Sequence, residues 1–200
     1  MNAERTSQND PITVDFLPPD KISSLSQIGL TFAPGKKHQG MHFMWDRSLE
    51  QDLDRLRNEY QTDVLISLIE SHEFEAVQIP DLIVQAQARE MQTIWFPIPD
   101  MSVPNSMDEL ILLVQKILLN TQQNKTVVIH CMGGLGRTGM VAACCLVARG
   151  YSPEEAIETV RETRQYSIET QQQEDYISEF ASAWETSKSM MSRNLSRNFC

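Results

Sequence analysis

Two hundred residues, 41% apolar and 22% charged, have the size and make-up of one globular domain that can bury a core without disulfide staples. The net charge of −10 excludes the basic footprint of a nucleic-acid binder and disfavours an anionic membrane surface as partner. Any anionic substrate must therefore be held by a local positive site working against the field of the whole chain.

The first ten residues are polar and do not read as a secretory leader. Residues 1–24 read as a loose, partly disordered arm carrying Pro11, Pro18 and Pro19, with Ile12–Val14 and Phe16–Leu17 able to form a short strand. Ile28–Phe32 reads as a strand ended by Pro34–Gly35. Ser48 caps a helix with Gln51 three residues on, and Leu49, Leu53, Leu56 and Tyr60 give that helix one apolar face. Val64–Ile69 is a compact apolar strand, 81–90 a helix, and Thr93–Phe96 a short strand running into Pro97. Ser106 and Glu109 form a capping box for a helix over 107–121. Leu110–Leu119, the longest apolar stretch, is broken by Gln115 and Lys116 and is too short to span a bilayer. Thr126–Ile129 is a buried strand, and Arg137–Ala148 a helix stopped by Gly150. Ser152-Pro153-Glu154-Glu155 is a strong helix start, and Thr170 with Gln173 repeats the device. Tyr176, Ile177, Phe180 and Trp184 follow helical spacing, while residues 188–200 read as a flexible tail. Strand–helix alternation predicts an α/β fold: a central, mostly parallel sheet flanked by helices on both faces, spanning residues 25–187. Ligands in such folds sit at the carboxyl ends of strands.

The loop after the strand at Ile129 reads His130-Cys131-Met132-Gly133-Gly134-Leu135-Gly136-Arg137-Thr138-Gly139. Three glycines in four residues let successive N–H groups turn inward as an anion nest, and the following helix adds its positive end. Backbone N–H groups of Met132 to Arg137 and the forked Arg137 guanidinium suit the oxygens of a phosphate monoester. The same surroundings favour Cys131 as a thiolate nucleophile. The Thr138 hydroxyl is placed to donate to the Cys131 sulfur as it leaves a phosphocysteine. His130 is expected to organise the loop by hydrogen bonding rather than to move protons.

This stretch resembles the His-Cys-x5-Arg-Ser/Thr signature of the cysteine-dependent protein tyrosine phosphatase superfamily. Gly133-Gly134-Leu135-Gly136-Arg137, followed by Val141-Ala142-Ala143-Cys144, is most similar to the dual-specificity branch and its kinase-associated phosphatase (cyclin-dependent kinase inhibitor 3) group. The resemblance runs from about Gly29 to Phe180. It implies a phosphatase-type strand–P-loop–helix and hydrolysis of phosphotyrosine, phosphoserine or phosphothreonine through a phosphocysteine. It further implies a phosphorylated protein substrate, a kinase among the candidates, and an acid on a separate movable loop. Asp100, within Phe96-Pro97-Ile98-Pro99-Asp100, matches that acid. Asp108 competes, but in the first turn of a capped helix its carboxylate has a reason of its own. Arg164 falls in an Arg-containing segment that the family packs near the catalytic loop, and is a candidate substrate-binding residue.

Tyrosine-specific members carry Gln-Thr-x-x-Gln, whose first glutamine positions water; here the segment reads Glu169-Thr170-Gln171-Gln172-Gln173. Met132 to Leu135 supply none of the lysines with which phosphoinositide-type members hold extra phosphates. Cys131, Cys144, Cys145 and Cys200 have neither the count nor the spacing of a disulfide framework or zinc site. Cys144 and Cys145 read as core residues, Cys200 as an exposed tail thiol, and Trp45, Trp95 and Trp184 as core filling. His38, His42 and His72 show no metal-ligand spacing. The expectation is a cytoplasmic monomer with no metal and no cofactor. Two other classes remain open: a phosphoprotein-binding module without turnover, and a rhodanese-like sulfur carrier.

Overall fold

The computed structural model describes residues 3–19, 27–40 and 42–197, with only the backbone for Ala3 and residues 190–197. The rest of the expected arm (1–2 and 20–24) and Cys200 lie outside the described residues. In chain order the elements are β1 (Ala3–Arg5), β2 (Asp15–Phe16), β3 (Ile28–Thr31), β4 (Lys37–Gln39), β5 (Phe43–Asp46), α1 (Leu49–Asn58), β6 (Thr62–Ser67), α2 (Ser71–Ala76), α3 (Leu82–Ala88), β7 (Gln92–Trp95), α4 (Met107–Gln122), β8 (Thr126–His130), α5 (Gly136–Ala148), α6 (Pro153–Thr163) and α7 (Gln171–Arg197).

The main sheet has the order β2-β3-β8-β6-β7. β3, β8, β6 and β7 pair in parallel, and β2 joins the edge antiparallel. β8 lies at the centre because Val127, Val128 and Ile129 are apolar in succession and fully buried, as a strand covered on both faces must be. Helices α1 and α3 cover β6 and β7, while α4, α6 and α7 gather around α5. α5 is buried from Gly136 to Val147. Its Gly139, Ala142, Ala143, Cys144 and Cys145 are small enough for close neighbours. A Cβ at Gly139 would lie 2.9 Å from Ser167 Cβ, so only glycine lets the α6–α7 turn rest there. All three capping serines accept the expected backbone N–H, but only Ser152–Glu155 closes a reciprocal box.

The N-terminal arm departs from expectation. Ile12 and Leu17 are fully buried, and β1 pairs with β5 in a second sheet of order β1-β5-β4. The cause is Arg47, whose buried guanidinium makes two 2.8 Å bonds to Asp52 and donates to Asp10 O at 2.6 Å. Asp52 also accepts Gly35 N–H at 2.8 Å. A buried cation needs acceptors, and arm carbonyls supply them. The C-terminal segment differs too, with α7 continuing to Arg197. Trp95 is 52% exposed rather than core, whereas Trp184 is buried.

Asp52→Ala leaves the Arg47 guanidinium buried without its counter-charge. Urea denaturation should show a loss of about 3–5 kcal/mol, and Arg47→Met with Asp52→Leu a much smaller one. Equal losses in the two proteins would contradict the clip.

Candidate active site

The loop from His130 to Leu135 is shaped by what its carbonyls touch. His130 O accepts Leu68 N–H at 2.9 Å. Cys131 O lies 3.1 Å from His130 Nδ1. Met132 O accepts Ala33 N–H at 3.3 Å and the Lys36 ammonium at 3.1 Å. Gly133 O and Gly134 O accept Arg164 Nη2 and Nε at 3.3 and 2.7 Å. Leu135 O accepts Gly139 N–H at 2.8 Å. Four of these carbonyls, those of His130, Met132, Gly133 and Gly134, are held by donors from outside the loop, which turns the N–H groups that follow them the other way. Among the described residues, the N–H groups of Met132, Gly133, Gly134, Leu135 and Arg137 have no protein acceptor. Gly134 permits this path: its φ is +71°, and a Cβ there would lie 2.2 Å from Thr31 O. Cys131 sits at the base, 2% exposed.

Arg137, also 2% exposed, makes 2.6 and 2.9 Å bonds to the two Glu73 oxygens and donates to Ile98 O at 3.0 Å. Glu73 belongs to α2, where its carboxylate also accepts Glu70 N–H in a capping box. Burial pushes the Glu73 carboxyl up, but the Arg137 hydrogen bonds and charge outweigh it and hold it below the ordinary value. Burial works against the Arg137 charge; Glu73, Cys131 and Asp100 overcome it and hold Arg137 above its usual value. Sequence reading missed Glu73. The one local signal was Glu70-x-x-Glu73, a box spaced like the others.

Asp100 stands on the loop after β7. Its Oδ1 is 2.8 Å from Arg137 Nη2, and its side chain is 66% exposed, so it reaches the guanidinium from the solvent side. The loop is fastened by Ile98 N–H to Leu68 O at 3.0 Å and by Gln173 Nε2 to Ser102 O at 3.2 Å. Gln173 does more than cap α7: its Oε1 also accepts Glu169 N–H at 2.9 Å. Asp108 is exposed at the start of α4 and has no polar contact with the loop among the described residues.

Arg164 lies on the outer wall of the loop, not in its bowl. Besides the two carbonyls it pairs with Asp15 at 2.5 Å, so its present contacts are those of a loop-shaping residue. Arg161 similarly holds Ser167 O and Ile168 O. Glu169 Oε2 accepts Gly136 N–H at 2.8 Å, placing a carboxylate on one loop amide. Thr138 Oγ1 is buried without a hydrogen-bond partner, one residue beyond Arg137. Cys144 and Cys145 are fully buried, and burial pushes both thiols up, as inert core residues require.

A family model described as "Swiss Army Knife protein, DSP-PTPase phosphatase domain" matches residues 75–177, just over half of the chain. The chain belongs to this family. It is a phosphatase domain of the dual-specificity, protein tyrosine phosphatase type. It is 29% identical over 196 residues to cyclin-dependent kinase inhibitor 3 of Rattus norvegicus, covering 95% of this chain and 90% of the relative. The Homo sapiens protein of that name is 27% identical over the same shares. Among solved structures, kinase associated phosphatase with its catalytic-site cysteine replaced by serine superposes with a TM-score of 0.79 at 25% identity, covering 87% of this chain and 96% of that one. Tk-PTP in its active form gives 0.64 at 29% identity, covering 78% and 91%. No described helix is long and apolar enough to cross a membrane.

His130 is fully buried, and its Nε2 has no partner. Burial first, then the Arg137 and Lys36 charges, bring it down from 6.5 to about 4. An unfolded chain protonates this histidine below 6.5, while the folded one stays neutral down to about 4. Stability should therefore fall as pH drops through that window, by about 3 kcal/mol. Denaturation at stepped pH should show the slope in wild type and a flatter profile in His130→Gln. An unchanged slope in the variant would contradict the assignment.

Proposed function

We propose that the chain is a cysteine-dependent phosphoprotein phosphatase working through a phosphocysteine. The observation that carries this reading is the bowl of free loop amides over Cys131, with Arg137 and Asp100 already in contact at its mouth.

The Cys131 sulfur attacks phosphorus in line while the inward N–H groups and Arg137 hold the phosphoryl oxygens. The bond to the leaving oxygen breaks as Asp100 gives that oxygen its proton. Water then attacks the phosphocysteine, Asp100 takes back a proton, and the sulfur leaves as thiolate with the Thr138 hydroxyl donating to it. His130 stays neutral and fixes the Cys131 carbonyl. Glu73 fixes the orientation of the Arg137 guanidinium, which a bidentate partner does better than a single contact. The Gly136 amide is taken by the Glu169 carboxylate, which leaves the amides of Met132, Gly133, Gly134, Leu135 and Arg137 for the phosphate.

The printed names of the relatives, cyclin-dependent kinase inhibitor and kinase associated phosphatase, favour a phosphorylated protein as substrate, with a kinase the first to test. The absence of lysine from Met132 to Leu135 favours a single phosphate in the bowl.

Purified protein should hydrolyse an aryl phosphate and a phosphothreonine peptide, with the rate unaltered by EDTA. Cys131→Ser should lower kcat at least about 10⁴-fold. Asp100→Asn should lower it about 10²-fold or more for the peptide, and far less for an aryl phosphate whose leaving group needs no proton. Full activity in Cys131→Ser would overturn the proposal.

A further inference from the structure

Beside the catalytic loop lies a cleft of about 430 Å³ whose lining includes Met132, Gly133, Arg164, Lys36, His38 and Trp45, with Asp10 beside Arg5. Strand alternation sorts the side chains around β4. Lys37 faces outward and pairs with Asp46 at 2.9 Å. Lys36 and His38, one residue to either side, face the cleft.

Lys36 is 3% exposed and has no carboxylate partner among the described residues. Its ammonium gives one hydrogen bond, to Met132 O, and lies 3.9 Å from the Trp45 ring centre and 4.7 Å from that of Phe32. The three neighbouring guanidiniums are each answered. Arg5 pairs with Asp10 at 3.1 Å, Arg164 with Asp15, and Arg47 with Asp52. Lys36 is the one cation of the group left over. Burial lowers it from 10.5 to about 7, and the Cys131 charge opposes that fall. His38 adds a second unanswered group: its Nδ1 is buried with no partner.

Holding Met132 O occupies one of the three ammonium donors, and Ala33 N–H already shares that carbonyl. A buried charge kept for loop geometry alone is an expensive choice, because a neutral donor would serve. A chain of net charge −10 nonetheless keeps this lysine in the cleft, within electrostatic reach of the nucleophile.

We propose that the cleft is a second anion-binding site, which takes a carboxylate or phosphate carried by a residue neighbouring the phosphorylated one in a protein substrate. The inference rests on the phosphatase reading and deepens it. The ammonium of Lys36 and the free nitrogen of His38 meet the anion, and the Trp45 ring covers the intervening chain.

The test is a set of phosphothreonine peptides in which one neighbouring position after another carries glutamate, phosphoserine or the neutral glutamine. One placement of the acid should raise kcat/KM about tenfold or more over glutamine. That ratio should fall close to one in Lys36→Met and persist in Lys36→Arg. Because each ratio is taken within one protein, a general loss of activity does not imitate the effect. Should Lys36→Met fail to fold, the wild-type ratio should still shrink as salt is raised. Equal rates across the peptide set, or a ratio that survives Lys36→Met or added salt, would overturn the inference and leave the phosphatase reading standing. So would a Lys36-dependent gain confined to phosphoinositide vesicles. Failure to hydrolyse even an aryl phosphate would overturn the phosphatase reading itself.

Discussion

The outward anchoring of the loop carbonyls is the constraint on which the rest depends. A peptide unit cannot turn its C=O outward without turning its N–H inward, so each external donor at residues 130–135 sets the direction of an amide. The donors come from separate parts of the chain: Leu68 after β6, Ala33 and Lys36 after β3, Arg164 at the end of α6. The five-stranded sheet brings them together, because β3 and β6 are the parallel neighbours of β8. The arm joins the same network through Asp15, the partner of Arg164, and through the Arg47–Asp52 clip.

The site also carries groups that a purely stable fold would replace. His130 is kept neutral in the core, the Lys36 amine is buried with no carboxylate partner among the described residues, and Asp100 is exposed while it leans on Arg137. Such departures from local optimum concentrate where a protein binds or reacts. The Glu73–Arg137 pair is different: hydrogen bonds to both carboxylate oxygens give the buried guanidinium a counter-charge and leave other donors of the fork for a ligand.

What could be read from the sequence was what local chemistry encodes. The run Val127–Ile129 announced a doubly covered strand, the glycines and Arg137 announced an anion-binding turn, and serine caps placed the helix starts within a residue or two. Trp95 misled, because its half-exposed ring packs edge-on against Phe74 and its Nε1 donates to Ile69 O. The unread contacts join residues far apart in the chain. Glu73 lies 64 positions from Arg137, Lys36 lies 96 from Met132, and Asp15 lies 149 from Arg164. No periodicity or cap reports such pairs. The anchoring of the arm went unread for the same reason: its prolines and polar residues look loose until Arg47, more than thirty positions away, is seen to need its carbonyls.

The most direct test of the amide bowl is a crystal structure of the protein soaked in vanadate. The account predicts vanadium bonded to Cys131 Sγ. Its equatorial oxygens should accept the N–H groups of Met132, Gly133, Gly134, Leu135 and Arg137 and the Arg137 guanidinium. Vanadate absent from the loop at saturating concentration, or bound with those amides turned away, would contradict it.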